Sequence, residues 1–380
     1  MVHYDYIFAG GGCAAYSMLF YLSKSKLKSK RILVIDPMGD DFPNKTWCYW
    51  AKSPLEIQPK SETKFWNKLN LSKNGSKLIL PLGELNYYHI EAGNFFKELK
   101  AYFSSIPSIT FLERKITNIS PASQNFEIET DSGESFTCDY LLDSRLEEGD
   151  FQNQKILKQQ FVGWKIKTEQ PFFDDSAVTL MDILPQDQKK SFSFGYILPY
   201  DSKHALVEYT AYSEKAIPKE NLKAYLDSYL EKHLQNEDYS VYFEETGAIP
   251  MSTLYKTVQT HERWIPIGTR AGWSRPSTGY TFQFIQEHCQ KLVNELESEV
   301  ALSKKSIPSR HFFYDNILLN IAKKWPEQLE NVFFDLFTVN STENVLRFLQ
   351  AKTSFWEEIN LLRKVRFAPY LKSLWYYEKH

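Results

Sequence analysis

Residues 4–36 read YDYIFAGGGCAAYSMLFYLSKSKLKSKRILVID. An apolar run leads into a glycine turn, a helix-forming stretch follows, and a second apolar run closes on an acid. That order predicts a strand at Tyr6 to Ala9, a helix opening from the turn, and a second strand ending at Asp36. Gly10, Gly12 and Ala15 stand in the spacing G-x-G-x-x-A. Gly10 suits a tight turn, Gly12 lets the backbone approach a pyrophosphate, and Ala15 lets the helix lie close to the strand. The helix N-terminus offers free N–H groups and a partial positive charge to phosphates. Asp36 stands where a carboxylate accepts the ribose hydroxyls of an adenosine. The unit therefore predicts a bound dinucleotide. Its place at the start of the chain, by analogy with fold families that begin this way, favours FAD over NAD.

The 380 residues suit one large or two closely packed domains. With 45 basic against 47 acidic residues the formal charge is −2, which gives no polyelectrolyte field for nucleic acid. The 27 Phe, 23 Tyr and 9 Trp make up 16% of the chain. Such rings can line a long apolar pocket, sit at a lipid–water interface or fill an aromatic core, and composition leaves all three open. Cys13, Cys48, Cys138 and Cys289 form no C-x-x-C pair, so neither a metal site nor a disulfide framework is expected and a reducing compartment fits. There is no secretory signal pattern and no run of about 18 apolar residues. The expectation is a cytoplasmic protein whose membrane contact, if any, is peripheral.

No repeats or long linkers interrupt the chain. Residues 85–103 read as a loop and then an amphipathic helix presenting Phe95, Phe96, Leu99 and Phe103. Strands are expected at 109–119, 125–130 and 135–142. From 159 to 213, short alternating runs predict a largely antiparallel sheet. A helix is expected over 219–235, a strand over 241–251, and helices from 280 to the end. The fold class that results is α/β, or α+β overall: a Rossmann-like nucleotide domain with a parallel sheet, interleaved with an antiparallel-sheet substrate domain and a helical C-terminal section. The expected divisions are 1–150, 151–255, 256–300 (returning to the nucleotide domain) and 301–380.

A second glycine segment, IPIGTRAGWSRPSTGYTF at 265–282, reads as a strand, a loop and a helix start near Pro276. Gly268, Gly272 and Gly279 let backbone come close to a ligand, and such a second loop commonly touches the ribityl chain and ring of a flavin. A surface turn is the structural alternative.

Taken in order, these segments resemble the bacterial lycopene β-cyclases, FAD-dependent enzymes that form carotenoid rings. The resemblance runs through the turn at 10–15, NKTWCYW at 44–50, YHIEAGNFF at 88–96 and YLLDSR at 140–145. It continues through QFVGWKIKT at 160–168, FDDSAVTLMD at 173–182, YILPY at 196–200 and ALVEYTAYS at 205–213. EETGAIPM at 244–251, the 265–282 loop and RHFFYDNILL at 310–319 complete it.

The resemblance implies that Glu208, the first acid of the family's acidic dyad, is the acid of the reaction or assists it. The dyad's second acid is here Tyr209, so two carboxylates from this one strand are not available. Read on its own, Glu208 shares a face with Leu206 and Thr210. Apolar surroundings there would raise its pKa until it holds a proton near neutrality; an edge-strand surface position is the alternative. Glu244 and Glu245 are neighbours on a strand, so only one can face a pocket. Glu245, on the face of Phe243, is the second catalytic candidate, with a structural role as its alternative. Asp182 matches the family without a defined role.

The implied reaction protonates a terminal alkene of lycopene or a related acyclic carotenoid. A tertiary cation forms, the ring closes, and a proton is lost, with no net electron transfer. Reduced FAD is implied to stabilise the cation, with NADPH keeping it reduced. Trp47, Trp50, Trp164 and Trp273 are candidates for further cation stabilisation. Aromatic and basic residues over 310–380 suit either a docking face on an anionic bilayer or a packed helical cap. Two other readings are a redox flavoenzyme of the hydroxylase or halogenase type, and a carotenoid-binding flavoprotein without chemistry. Ser144 and Arg145 after Asp143, in place of Asp-Gly, count against the first.

Overall fold

The computed structural model describes residues 1–380 except 40, 43, 123–124, 147–155, 185–190, 236, 255–260 and 303–307. The expected divisions after residues 150 and 255 therefore lie outside the described residues. Around the opening unit the apolar runs pair as parallel strands. Val2–Ala9 lies between Ile32–Asp36 and Ser135–Asp143, with Ile109–Glu113 beyond Ile32–Asp36. Phe126–Thr130 and Ile116–Pro121 add an antiparallel hairpin. Trp264–Pro266 also pairs with the end of Ser135–Asp143, which brings the second glycine segment beside the first. Both faces of the central strands are buried, as a covered parallel sheet requires. The helix Cys13–Ser23 is buried almost all round, and it packs on the helix Phe282–Glu297, where Gln286 donates to the Ser17 hydroxyl at 2.9 Å.

The expected strands of 159–213 form the second sheet. Its order is Tyr239–Met251, Leu157–Thr168, His204–Ser213, Ser193–Pro199, Val178–Ile183, Lys68–Lys73 and Ser76–Pro81. It is antiparallel except where Val178–Ile183 meets Lys68–Lys73. A third, small sheet joins Thr46–Ala51, Asn86–Glu91 and Phe65–Trp66. Three expectations change. Residues 86–91, read as loop, are a strand, because NYYHIE pairs along its whole length with Thr46–Ala51. The single run at 109–119 breaks at Arg114-Lys115 into two strands on opposite edges of the sheet. The helix after the second glycine segment begins at Phe282, not near Pro276, because Arg275–Gly279 closes a turn in which Gly279 adopts φ +74°.

The α+β architecture expected from the sequence is the one observed, including the helical C-terminal section. One face of the second sheet carries the helix Lys219–Leu234, seated through Leu222, Leu226, Tyr229 and Leu230. The C-terminal helices supply the other side. Val332, Phe333, Leu336, Phe337, Val345 and Leu346 pack with sheet residues that include Leu69, Leu180, Phe194 and Leu206. Beneath this contact lies a buried charge network. Arg275 donates to Asp315 at 2.9 Å, and Ser277 donates to the same oxygen at 2.6 Å. Alongside it, His311 lies 3.1 Å from Glu358, whose carboxylate is gripped by Arg310 at 2.8 and 3.0 Å. The network ties the second glycine segment to the helices Ser309–Lys324 and Phe355–Leu362. Breaking one partner of a buried pair leaves the other charge uncompensated, at a cost of about 3–5 kcal/mol. Asp315→Ala is expected to lower the midpoint of chemical denaturation by a corresponding amount, whereas a change below about 1 kcal/mol would mean that the pair behaves as an exposed one.

Candidate active site

The two glycine segments form one cradle. Gly10 adopts φ +97°, and a Cβ there would lie 2.4 Å from the Ser144 hydroxyl, so the turn admits no side chain. Gly12 faces open space: a Cβ there would meet nothing within 4 Å. The helix that starts at Cys13 has no side-chain cap and no acid in its first turn, which leaves its N–H groups free for an anion. Asp36 accepts the Gly11 N–H at 2.7 Å and the Met38 N–H at 2.8 Å, which fixes its carboxylate at the strand end. Ala15, in the first turn of this helix, is fully buried. Gly268 is close enough to this helix that a Cβ would lie 2.9 Å from that of Ala14. Gly272 ends the short turn Gly268–Ala271 in a left-handed conformation. Gly279 lies on the wall of a cavity, against Gln159 and Ile249.

That cavity, of about 600 Å³, runs from the second glycine segment to the inner face of the second sheet and the C-terminal helices. Its walls are largely apolar and aromatic: Trp47, Tyr87, Phe161, Phe194, Tyr196, Tyr212, Tyr280, Phe282, Phe333 and Phe337 all line it. Of the four tryptophans singled out in the sequence, only Trp47 does so. Trp50 stacks on Tyr87, Trp164 donates to Glu244 on the opposite face of its sheet, and Trp273 stacks on His288.

Glu208 faces the cavity from His204–Ser213, an inner strand paired on both sides, which removes the edge-strand alternative. The pairing sets four residues in one row across the sheet: Tyr196, Glu208, Gly163 and Glu245, each opposite the next. Side chains in such a row share a face. Gly163, in the middle, leaves a gap that the Glu245 side chain enters. A Cβ at Gly163 would lie 3.3 Å from the Glu245 Cγ and 3.1 Å from a Leu206 methyl. A glycine inside a strand pattern is a sequence signal for such a gap. Neither Tyr196 nor Lys165 carried a signal of its own.

Glu208 accepts a hydrogen bond from the Thr210 hydroxyl at 2.6 Å. Burial pushes its pKa up to about 8, with a further rise from Glu245 and a partial offset from Thr210. Glu245 is 4% exposed and accepts the Thr46 N–H at 2.7 Å, while its other oxygen has no hydrogen-bond partner among the described residues. Burial pushes it to about 7, against the opposing effects of Thr46, Lys165 and Lys45. The buried Lys165 does not neutralise the pair outright: its ammonium is bonded to Glu91 and lies 4.8 Å from the Phe243 ring centre. Burial on this face thus favours the protonated form of both carboxyls well above the usual carboxylate range, Glu208 most of all.

The remaining acids do other things. Glu244 points to the far face, where, against the penalty of burial, Lys219, Lys223 and Trp164 hold its pKa down to about 2. Tyr209, in the second dyad position, also faces away from the cavity, and its ring lies 5.3 Å from that of Tyr225 on the covering helix. The second carboxyl on the cavity face thus comes from a different strand. Asp182 accepts from Ser72 at 2.5 Å and Tyr229 at 2.9 Å, outside the cavity lining. Asp143 is buried, clasped by Arg145 at 3.0 Å through both oxygens and by the Trp264 indole at 3.1 Å. Among the described residues no cluster of three or more His, Cys, Asp or Glu is arranged for a metal, and the four cysteines are free thiols.

The family model for lycopene cyclase protein matches residues 5–374. The chain belongs to the lycopene cyclase family. No curated protein matches it in sequence. Among solved structures, it is similar to a geranylgeranyl bacteriochlorophyll reductase-like protein from Thermoplasma acidophilum, with TM-score 0.62, 13% identity and 98% of each chain covered. It is also similar to the flavin-dependent brominase Bmp2, with TM-score 0.57, 13% identity and 99% of each chain covered. A third is the p-nitrophenol 4-monooxygenase PnpA from Pseudomonas putida, with TM-score 0.59, 12% identity, 97% of this chain and 99% of the other. At these identities the likeness establishes a shared fold.

The elevated Glu208 pKa has a consequence for stability. A carboxyl whose folded pKa lies above its ordinary 4.5 contributes stability that is fully present below that value and is lost as pH rises through about 8. Glu208→Gln removes this dependence. Relative to wild type the variant is expected to gain thermal stability at pH 9 compared with pH 5, measured as the difference between their melting temperatures; parallel pH profiles would mean that Glu208 is not held neutral.

Proposed function

We propose that this family member is a lycopene β-cyclase, an enzyme that closes the acyclic end groups of lycopene into β-rings by way of γ-carotene. The observation that carries this reading is a proton-holding carboxyl, Glu208, facing an aromatic, apolar cavity with a second carboxyl in its row. An acyclic polyene offers only double bonds, so its cyclisation starts with a proton. Glu208 delivers that proton to the terminal C1–C2 alkene at C2, which leaves a tertiary cation at C1. The C5–C6 double bond closes on C1, the charge moves to C5, and a proton leaves C6. On this reading Glu245, with one oxygen that has no hydrogen-bond partner among the described residues, takes it. Protons given and taken balance, and no electrons are consumed.

FAD is the dinucleotide proposed for the cradle. Gly10, Gly12, Ala15, Asp36, Gly268, Gly272 and Gly279 would hold it, the open space at Gly12 and the uncapped helix suiting a pyrophosphate. When bound in reduced form it supplies negative charge that stabilises a cation, with NADPH as reductant. Of the two alternatives, a monooxygenase- or halogenase-type redox enzyme is favoured by the shared fold alone. A binding protein without chemistry has the Tyr209 departure as its only support, and on the cyclase reading Glu245 supplies the carboxyl that Tyr209 does not. In cells that accumulate lycopene, wild type is expected to produce monocyclic and bicyclic carotenoid and Glu208→Gln to lower product at least about 100-fold, within the range of general acid catalysis. Oxygenated or halogenated pigment would favour the redox reading, and unchanged lycopene with bound FAD the binding protein.

The substrate dissolves in lipid, and the last two helices suit contact with it. Among the described residues no helix is long and apolar enough to cross a membrane. On Phe355–Leu362 and Phe367–Trp375, however, Trp356 is 75% and Trp375 85% exposed, beside exposed Phe355, Phe367, Leu371 and Leu374. Arg363, Lys364, Arg366 and Lys372 are exposed among them. Indole rings favour the headgroup level and the cations favour anionic lipid. A peripheral position on the cytoplasmic face of the cell membrane follows from this reading. Trp356→Ala combined with Trp375→Ala is expected to cut co-sedimentation with vesicles of anionic phospholipid several-fold while leaving turnover of detergent-dispersed lycopene intact. Undiminished sedimentation would rule this face out.

A further inference from the structure

We propose that the ring of Tyr196 is the protein's own stabiliser of the carbocation formed beside Glu208. The inference rests on the cyclase reading and adds a residue to it. Tyr196 stands opposite Glu208 in the pairing of Ser193–Pro199 with His204–Ser213, and it lines the cavity. Directly paired side chains on one face sit about 5 Å apart at Cβ, so charge created by proton transfer from Glu208 arises within reach of this ring.

The ring is held in place at its far end. The Tyr196 hydroxyl lies 2.9 Å from that of Tyr87 and donates to the Cys48 sulfur at 3.3 Å. Tyr87 in turn stacks on Trp50, with 15° between the ring planes. Tyr196 packs against the apolar side chains of the cavity wall, but among the described residues no other ring lies on it. Trp47, Tyr87, Phe194, Tyr212, Tyr280 and Phe333 each pack on another ring, whereas among the described residues Tyr196, like Phe161 and Phe337, has no stacked or edge-on ring partner, and of these three only Tyr196 stands opposite Glu208. Nor does the nearby Lys165 ammonium occupy it, since that cation lies over Phe243 and Tyr200.

The hydroxyl has a separate role. Burial, reinforced by Cys48 and Tyr87, holds the phenol well above its ordinary pKa, so it stays neutral and takes no proton from the substrate. It tethers the ring; the ring faces the cation. In the step itself Tyr196 makes and breaks no bond. The proton passes from Glu208 to C2, the C1–C6 bond forms, and the C6 proton departs, while the quadrupole of the ring lowers the energy of the charged species between.

The test is a single-turnover rate on reconstituted holoenzyme with lycopene, for Tyr196→Phe, Tyr196→Leu, and a series placing phenylalanines with one, two and three ring fluorines at this position. Tyr196→Phe is expected to stay within about threefold of wild type and Tyr196→Leu to fall about tenfold or more, the scale of a desolvated cation–π contact. The fluorinated series should decline stepwise as each fluorine drains the ring face, at constant ring size and with the absorption band of bound lycopene unchanged. A flat fluorine series, or Tyr196→Phe falling as far as Tyr196→Leu, overturns the proposal while leaving the cyclase reading standing. Wild type that forms no ring removes that reading, and the proposal with it.

Discussion

Two carboxyl groups on one sheet face, Glu245 buried and Glu208 half-buried against the cavity, with no ion pair to either among the described residues, are the constraint around which the rest of this molecule is arranged. A charged carboxylate in apolar surroundings is costly, and two side by side are costlier still. The fold accommodates them by favouring the protonated form of both, Glu208 most of all. Gly163 makes this possible sterically: with no side chain between them, the Glu245 chain folds into the gap. The apolar walls and the C-terminal helices that exclude water are what keep both pKa values raised.

The same sheet separates two chemistries by the alternation of its strands. On the cavity face the acids are neutral or nearly so. On the far face, one residue away, Glu244 is fully ionised between two lysines and an indole. Adjacent residues of one sequence motif thus end up several pKa units apart, because one is buried on the inner face and the other meets cations on the outer one. Position 209 obeys the same rule. Any residue there faces the covering helix, so a tyrosine in that place packs against Tyr225 and lies outside the row that holds Glu208 and Glu245.

The second glycine segment joins the opening glycine turn to the sheet that carries the acids. Gly268 touches the first helix of the nucleotide unit, while Gly279 touches the sheet that carries the carboxyls. Between them Arg275 is pinned by Asp315, so the segment is held from the C-terminal side as well. Among the described residues the helices that carry the exposed tryptophans are therefore mechanically continuous with the cavity wall.

The sequence by itself determined what is local. A βαβ unit closes within 33 residues, so its glycines, Ala15 and Asp36 fall in place as read, and alternation within each strand tells which neighbours share a face with Glu208 and Glu245. Strand pairing is not local. That Glu208 and Glu245 share a face across Gly163, that Tyr196 completes the row, and that only Trp47 among four candidate tryptophans reaches the cavity all depend on register between strands up to about 85 residues apart, and on which side of the sheet the helices cover. Propensity and periodicity carry no information about either. The loop at 85–91 was misread for the same reason: its pairing partner, Thr46–Ala51, lies some 40 residues earlier.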